Sequence, residues 1–388
     1  MRRKSIVGIG AAGVGGAALA LMNQAGAAAS AAVQSSTTLT QNQAIQAGDL
    51  AVTTTVHPDK SVTTKYTGAD GSTVSSVSPP PGFVPLTASN AQLAQYGFPP
   101  RPSASSVSLA GWTRAMAAWK GAPKPGLVFR RTPLTGANPD ATSASPTNSP
   151  SSTFGVISTP NYIWGGYVDT TDYSRVASVS GTFSAPNLGP YCPSNSQPWG
   201  ALGIWTGIGG YGTSDLLQSG IEAGDPVPTL QGSPTVWEPF WEAIDQANPQ
   251  APPYIMKAAN GAIPINPLDT IYSKTSFSYA GANGTASFFL EDVTTGQSAS
   301  FQKTGNNDAV LYYNGQSADF VSESPDRNFL PFSEFAWVNS TWTDSAGTAH
   351  AISDDPYGAI YQLTVTNHIL TGPLSSNGEN FASGFGSC

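Results

Sequence analysis

From about residue 153 to its end the chain consists of short β-branched and aromatic segments separated by Gly, Asn, Pro and Asp, a texture that leaves little room for anything but an all-β fold. Arg175 to Phe183 (RVASVSGTF), Ala286 to Leu290, Ala309 to Tyr313 and Ile360 to Thr366 each read as a strand. No long amphipathic helical pattern interrupts them. About 235 residues of this kind predict one large antiparallel β-sandwich, concanavalin- or jelly-roll-like, with length enough for a full core.

What precedes this region is different. Arg2, Arg3 and Lys4 stand before an apolar run from Ile6 to Met22, with small residues around Ala25 to Ala29, which is the layout of a secretory signal over residues 1–29. Residues 30–152 then read as a pro-segment and linker. Its first part, 30–85, is rich in Ser, Thr, Ala and Gln and is expected to be loosely ordered. Ser89 with Gln92 predicts a capped helix that Gly97 and Pro99-Pro100 stop. Trp112, Ala115, Met116 and Trp119 predict a second helix with an aromatic face, which needs a surface to dock on. Residues 132–152 form a polar Pro/Ser/Thr/Asn linker suited to proteolytic release. The expected product is an exported domain, 153–388, secreted and with no membrane contact once the signal is removed.

Charge divides at the same place. Residues 1–152 hold 11 Lys/Arg against 4 Asp, a net of +7, and residues 153–388 hold 5 Lys/Arg against 20 Asp/Glu, a net of −15. The positive charges are spread along a Pro/Ser/Ala-rich stretch without a recognition motif, so they predict an intramolecular role and no nucleic-acid partner. Cys192 and Cys388 are the only cysteines, and an oxidising compartment lets them close one bridge or leaves two thiols. No cysteine–histidine cluster exists to hold zinc, and neither a metal nor a cofactor is implied.

The domain is short of the usual catalytic groups. Its histidines are His350 and His368, there is no G-x-S-x-G, and the pepsin-type Asp-Thr/Ser-Gly pair is missing. Carboxylate and amide chemistry remain, against seven tryptophans that suit either a core or a sugar- or peptide-binding cleft.

Several separated motifs, in order, resemble the glutamic peptidase (eqolisin) family, bacterial type. Asn161-Tyr162-Ile163-Trp164-Gly165-Gly166-Tyr167 resembles its N-W-x-G-y motif, Val179 to Pro186 its V-S-G-T-W/F-x-V-P strand, and Trp205 to Gly210 its W-V-G-I-D-G. Leu216-Leu217-Gln218-Ser219-Gly220 is similar to L-L/I-Q-T/S-G, Phe240-Trp241-Glu242 to W-W/Y-E, Glu291 to Ser298 to the E-N-x-T-T-G-Q-S turn, and Ala318 to Glu323 to A-E-W-I-V-E. Gly209 stands where the family has Asp, and Asp319 and Phe320 where it has Glu and Trp.

The resemblance implies a preproenzyme whose catalytic residues are Gln218 and Glu323, with Trp164, Trp205, Glu222 and Glu242 around the substrate. It implies a monomeric endopeptidase that acts on polypeptides in acid, with its own pro-segment as intramolecular inhibitor. Glutamate keeps an ionised fraction at pH 4 where imidazole, with a pKa of about 6.5, does not. The basic pro-segment is expected to cover the cleft at neutral pH and to loosen as acid neutralises the domain. The alternative is a β-sandwich carbohydrate-active protein, a glycoside hydrolase or lectin.

Overall fold

The segments rich in Val, Thr and aromatic residues form strands close to the predicted bounds. The computed structural model describes residues 51–67, 73–121, 127–130, 155–172, 175–193, 200–213, 215–224, 237–244, 254–258, 263–278, 284–304, 315–325 and 327–388. The signal segment, the 132–152 linker and the Ala309 to Tyr313 strand lie outside these residues. In chain order the strands are β1 (Ala51–Val56), β2 (Val62–Thr67), β3 (Thr73–Ser78), β4 (Leu127–Arg130), β5 (Ile157–Asn161), β6 (Trp164–Thr170) and β7 (Val176–Ser184). Then come β8 (Leu202–Gly209), β9 (Leu216–Ala223), β10 (Glu238–Ile244), β11 (Tyr254–Ala258), β12 (Thr270–Ser278), β13 (Thr285–Asp292) and β14 (Gln297–Thr304). The last are β15 (Ser317–Glu323), β16 (Phe335–Asp344), β17 (Ala349–Ala351), β18 (Ala359–Val365), β19 (Ile369–Thr371) and β20 (Phe381–Phe385). Among the described residues the α-helices are α1 (Asn90–Gln95) and α2 (Leu109–Ala118).

Pairing arranges the strands in two layers. The front layer runs β5-β18-β6-β15-β8-β9-β10-β11-β4, antiparallel except for β5 on β18. The back layer runs β20-β16-β7-β12-β13-β14-β3-β2-β1. β19 pairs with β18 on one side and β20 on the other, joining the layers along one edge. This is the all-β sandwich that the strand texture predicts.

Alternation decides what lies between the layers. Leu217 and Ile221 of β9, Ile204 and Ile208 of β8, and Phe288 and Leu290 of β13 enter one core with Trp237, Trp241, Trp337 and Trp342. The Trp241 ring meets Phe301 across the layers at 4.4 Å. A buried hydroxyl cluster also spans the gap, with Thr206 Oγ1 3.0 Å from Ser273 Oγ and Ser219 Oγ 2.9 Å from Thr275 Oγ1. Paired in this way, small polar groups are tolerated in a core where unpaired ones would be costly. Cys192 and Cys388 are bonded, which ties the C-terminus to the β7–β8 connection.

The stretch 30–85 departs from its expected looseness, because 51–78 contributes β1, β2 and β3 to the back layer. Thr and Val supply little side-chain burial but good strand geometry, and β3 gains a partner edge on β14, with Val74 opposite Lys303. Tyr66 and Val74 enter the main core. α1 begins as predicted: Ser89 Oγ accepts from the Gln92 N–H, and the Gln92 side chain accepts from the Ser89 N–H at 3.0 Å. The aromatic face of α2 is docked. Trp112, Ala115 and Met116 pack with Phe98, Leu93, Tyr272 and Phe289 on the outer surface of the back layer.

Candidate active site

The six residues singled out in sequence all fall in the front layer. Gln218 and Glu222 are on β9, Glu242 on β10, Trp205 on β8, Trp164 on β6 and Glu323 on β15. Their neighbours on each strand point into the core, so these side chains point to the layer's other face. Register brings them into rows. Glu242, Gln218, Gly207 and Asp319 lie side by side across four strands, and Glu222, Gly203 and Glu323 form a second row four residues along.

Glycine makes room between the rows. The Trp205 indole lies along its own strand: a Cβ on Gly203 would be 3.3 Å from its Cδ1, and one on Gly207 only 2.7 Å from its Cζ3. On β9, a Cβ on Gly220 would be 2.0 Å from the Ile204 carbonyl oxygen. The indole therefore rests on a floor without side chains, and its Nε1–H donates to Glu323 Oε2 at 2.9 Å. Trp164 stands edge-on to Trp205, with ring centroids 5.0 Å apart. After β8, Gly209 (φ +81°) and Gly210 (φ +90°) turn the chain so that Tyr211 packs with Trp164, Val168 and Leu216. A Cβ at 209 would be 2.6 Å from the Asp215 carbonyl, so the family's Asp would be both strained and crowded there.

The polar centre is a triad. Gln218 Nε2 donates to Glu242 Oε2, and Glu242 in turn lies within electrostatic reach of Glu323. Gln218, Glu242 and Glu323 are at most 2% exposed. Burial pushes the Glu242 carboxyl up to about 8, offset in part by the Gln218 amide. Burial raises Glu323 well above the ordinary carboxyl range; the Glu242 charge adds to this, while the two indoles work against it. Glu323 thus meets a second carboxyl as well as a neutral amide, because the β9–β10 register places Glu242 beside Gln218.

Three acceptors in this triad have no hydrogen-bond partner, Gln218 Oε1, Glu242 Oε1 and Glu323 Oε1. Sequence reasoning left Val321, Phe240 and Tyr211 out of the site, though all pack on the same face. Counting back by two from Glu323 and Glu242 would have found the first two. Asp319, which stands where the family has Glu, shares that face, fully buried and pushed upward by desolvation. Among the described residues no His/Cys/Asp/Glu group is arranged to hold a metal ion, and no helix is long and apolar enough to cross a membrane.

No curated protein matches the chain. The model of the Peptidase A4 family matches residues 162–381, more than half of the sequence and the whole span from Trp164 to Glu323. With that match on a β-sandwich whose front face gathers Gln218, Glu242 and Glu323, the chain belongs to the Peptidase A4 family of glutamic endopeptidases and is a peptide hydrolase.

Proposed function

We propose that the chain is a secreted acid endopeptidase in which Glu323 activates a water and Gln218 orients it and stabilises the oxyanion. The observation that carries this is the pair of unpartnered buried acceptors, Gln218 Oε1 and Glu323 Oε1, on side chains whose other polar ends are anchored by Glu242 and Trp205. A water held by both would donate one hydrogen to each. Glu323 takes one proton as the water oxygen bonds to the scissile carbonyl carbon, and returns it to the leaving amine as the C–N bond breaks. Gln218 Nε2 carries two hydrogens. One is held by Glu242, and the other is free for the developing oxyanion, a contribution of about 3 kcal/mol for such a donor. Glu242 is thus a positioning residue that fixes which end of the amide meets the water.

While the site stays buried, Glu323 is held protonated in acid and cannot act as a base. The buried form is therefore a resting one, and access of water and substrate lowers the cost of ionising Glu323. Glu242, neutral below about 8, leaves one negative charge in the working centre. Restraint by the pro-segment is assigned to the stretch around β4, which lengthens the front layer by pairing Leu127–Arg130 with Tyr254–Ala258, one strand beyond Glu242. Export rests on the basic and apolar pattern of residues 1–29, and the fold needs no second chain to complete the site. The family match leaves the carbohydrate-active alternative without support.

Gln218→Ala and Glu323→Ala, assayed on denatured protein at pH 3 to 5, are each expected to lower kcat by 10²-fold or more, on the order of losing one oxyanion donor or a general base. Wild-type rates in either variant would refute the assignment.

A further inference from the structure

We propose that residues 51–121 are a permanent structural module of the working enzyme, seated on the outer face and edge of the back layer, and are retained in acid and after the linker is cut.

Three observations place this region among structural elements. First, it supplies part of the core: Tyr66 and Val74 are at most 4% exposed and belong to the same cluster as Phe288, Phe301 and Trp241 of the catalytic domain. Second, β3 covers the open edge of β14, and β2 and β1 continue the layer outward. Its departure would leave an unpaired edge, a template for association with other chains. Third, the outer face of β12 and β13 carries Tyr272 and Phe289, both buried in one cluster with Phe98, Trp112 and Met116. The Phe98 ring meets Phe289 at 5.4 Å.

The contacts described across this interface are apolar or neutral. Trp119 Nε1 donates to Ser298 Oγ at 2.9 Å, the Lys120 N–H to the Gly296 carbonyl at 2.7 Å, and the Ser298 N–H to the Gly121 carbonyl at 3.4 Å. None of these contacts loses a charge in acid, so they hold at pH 3.5 as at pH 7. The front layer, with Gln218 and Glu323, lies on the far side of the core, so the module can stay while the site opens.

Protonation favours retention. Glu291 follows Phe289 on this outer face and is fully buried; its register neighbours are Tyr272 and Ser298, the latter bonded to Trp119. The titratable groups around it are Tyr272 and Lys274 on β12, Asp292 beside it, and Lys120 at the end of α2, which packs on the Gly296 turn. Burial, with Asp292 adding, pushes Glu291 up to about 9. A carboxyl raised by docking is bound most firmly below its free value and resists less well as pH climbs toward the raised one. Acid therefore tightens this contact.

The test uses the full chain with a specific protease site placed within 132–152, as wild type and as Glu323→Ala, so that the outcome does not depend on catalysis. After cutting, size-exclusion chromatography with mass detection is run at pH 3.5 and pH 7, with and without 1 M NaCl. The expected result is co-elution of the two fragments in all four conditions, with Trp119→Phe weakening association about fivefold through loss of one hydrogen bond. If the N-terminal fragment separates at pH 3.5, or in salt at pH 7, from a catalytic fragment that keeps its far-ultraviolet β spectrum, the proposal is overturned. Should the cut chain not stay soluble, limited proteolysis of the uncut chain at pH 3.5 decides: protection of the bonds within 85–121 supports the module, and rapid cleavage there refutes it.

Discussion

Glu291→Gln should make the protein more stable at neutral pH while changing little in acid. Glu291 is fully buried on the back layer, and neither of its carboxyl oxygens has a hydrogen-bond partner. In the folded chain its pKa is pushed up to about 9, against an ordinary value of 4.5. A raised folded-state value means that the stability it confers is complete below 4.5 and is lost as pH rises toward 9. At pH 7 the unfolded side chain is ionised and the folded one is not, a gap of about 2.5 pH units, which costs ~3 kcal/mol at about 1.4 kcal/mol per unit. Glutamine cannot ionise, so the substitution removes that cost. Its own unsatisfied amide burdens the fold equally at every pH and cancels in the comparison. Urea unfolding of variant and wild type, followed by tryptophan fluorescence at pH 4 and pH 7, should show a stability difference that moves by ~3 kcal/mol in favour of the variant between the two. A difference that stays the same within ~0.5 kcal/mol would show that Glu291 is already hydrated or paired in solution, and the argument from its burial would fall.

Other outcomes follow from the front face. Trp205→Phe removes the N–H that favours the charged form of Glu323, so the acid limb of the kcat/KM profile should move to higher pH, with activity at pH 4 falling about tenfold for each unit moved. Glu242 is neutral across this range, so Glu242→Gln should leave the same limb in place. Gly207→Ala sets a methyl 2.7 Å from the Trp205 ring and 3.1 Å from the Leu217 carbonyl; kcat should drop at least tenfold while β spectra persist, and unchanged kcat would show that the indole is not held by its floor. Cys388→Ser opens a loop of 196 residues and should lower unfolding stability by up to about 5 kcal/mol, read by thermal melts with and without reductant.

The parts of this molecule legible in its sequence are those that local chemistry decides. The Ser89–Gln92 cap, the stop at Gly97 and the β-branched runs need no distant partner to be recognised. The face that carries Gln218 and Glu323 is reachable through motifs, because alternation by two is built into each strand. What stayed hidden depends on register between distant segments. That Glu242 faces Gln218 follows from the β9–β10 pairing across a separation of 24 residues, and the perturbed carboxyls follow from burial that no single strand reveals. The strands of 51–78 escaped for a related reason. Their Thr, Ser and Val content buries little by itself, and β14 supplies the edge that makes an extended conformation worth holding.

The parallel pairing of β5 with β18 also sets the order in which the molecule can assemble. Tyr361 lies opposite Ile157, and Ser158 Oγ donates to Gln362, so the first strand of the catalytic domain waits about 200 residues for its partner. β6 meets the same strand, and β19 must fold back before the two layers are joined. The front layer therefore cannot close until nearly the whole chain has left the ribosome, whereas β1 to β3 and the hairpin of β13 and β14 can pair long before. Closure of the front layer is therefore a late event in folding, set by the long separation between β5 and β18.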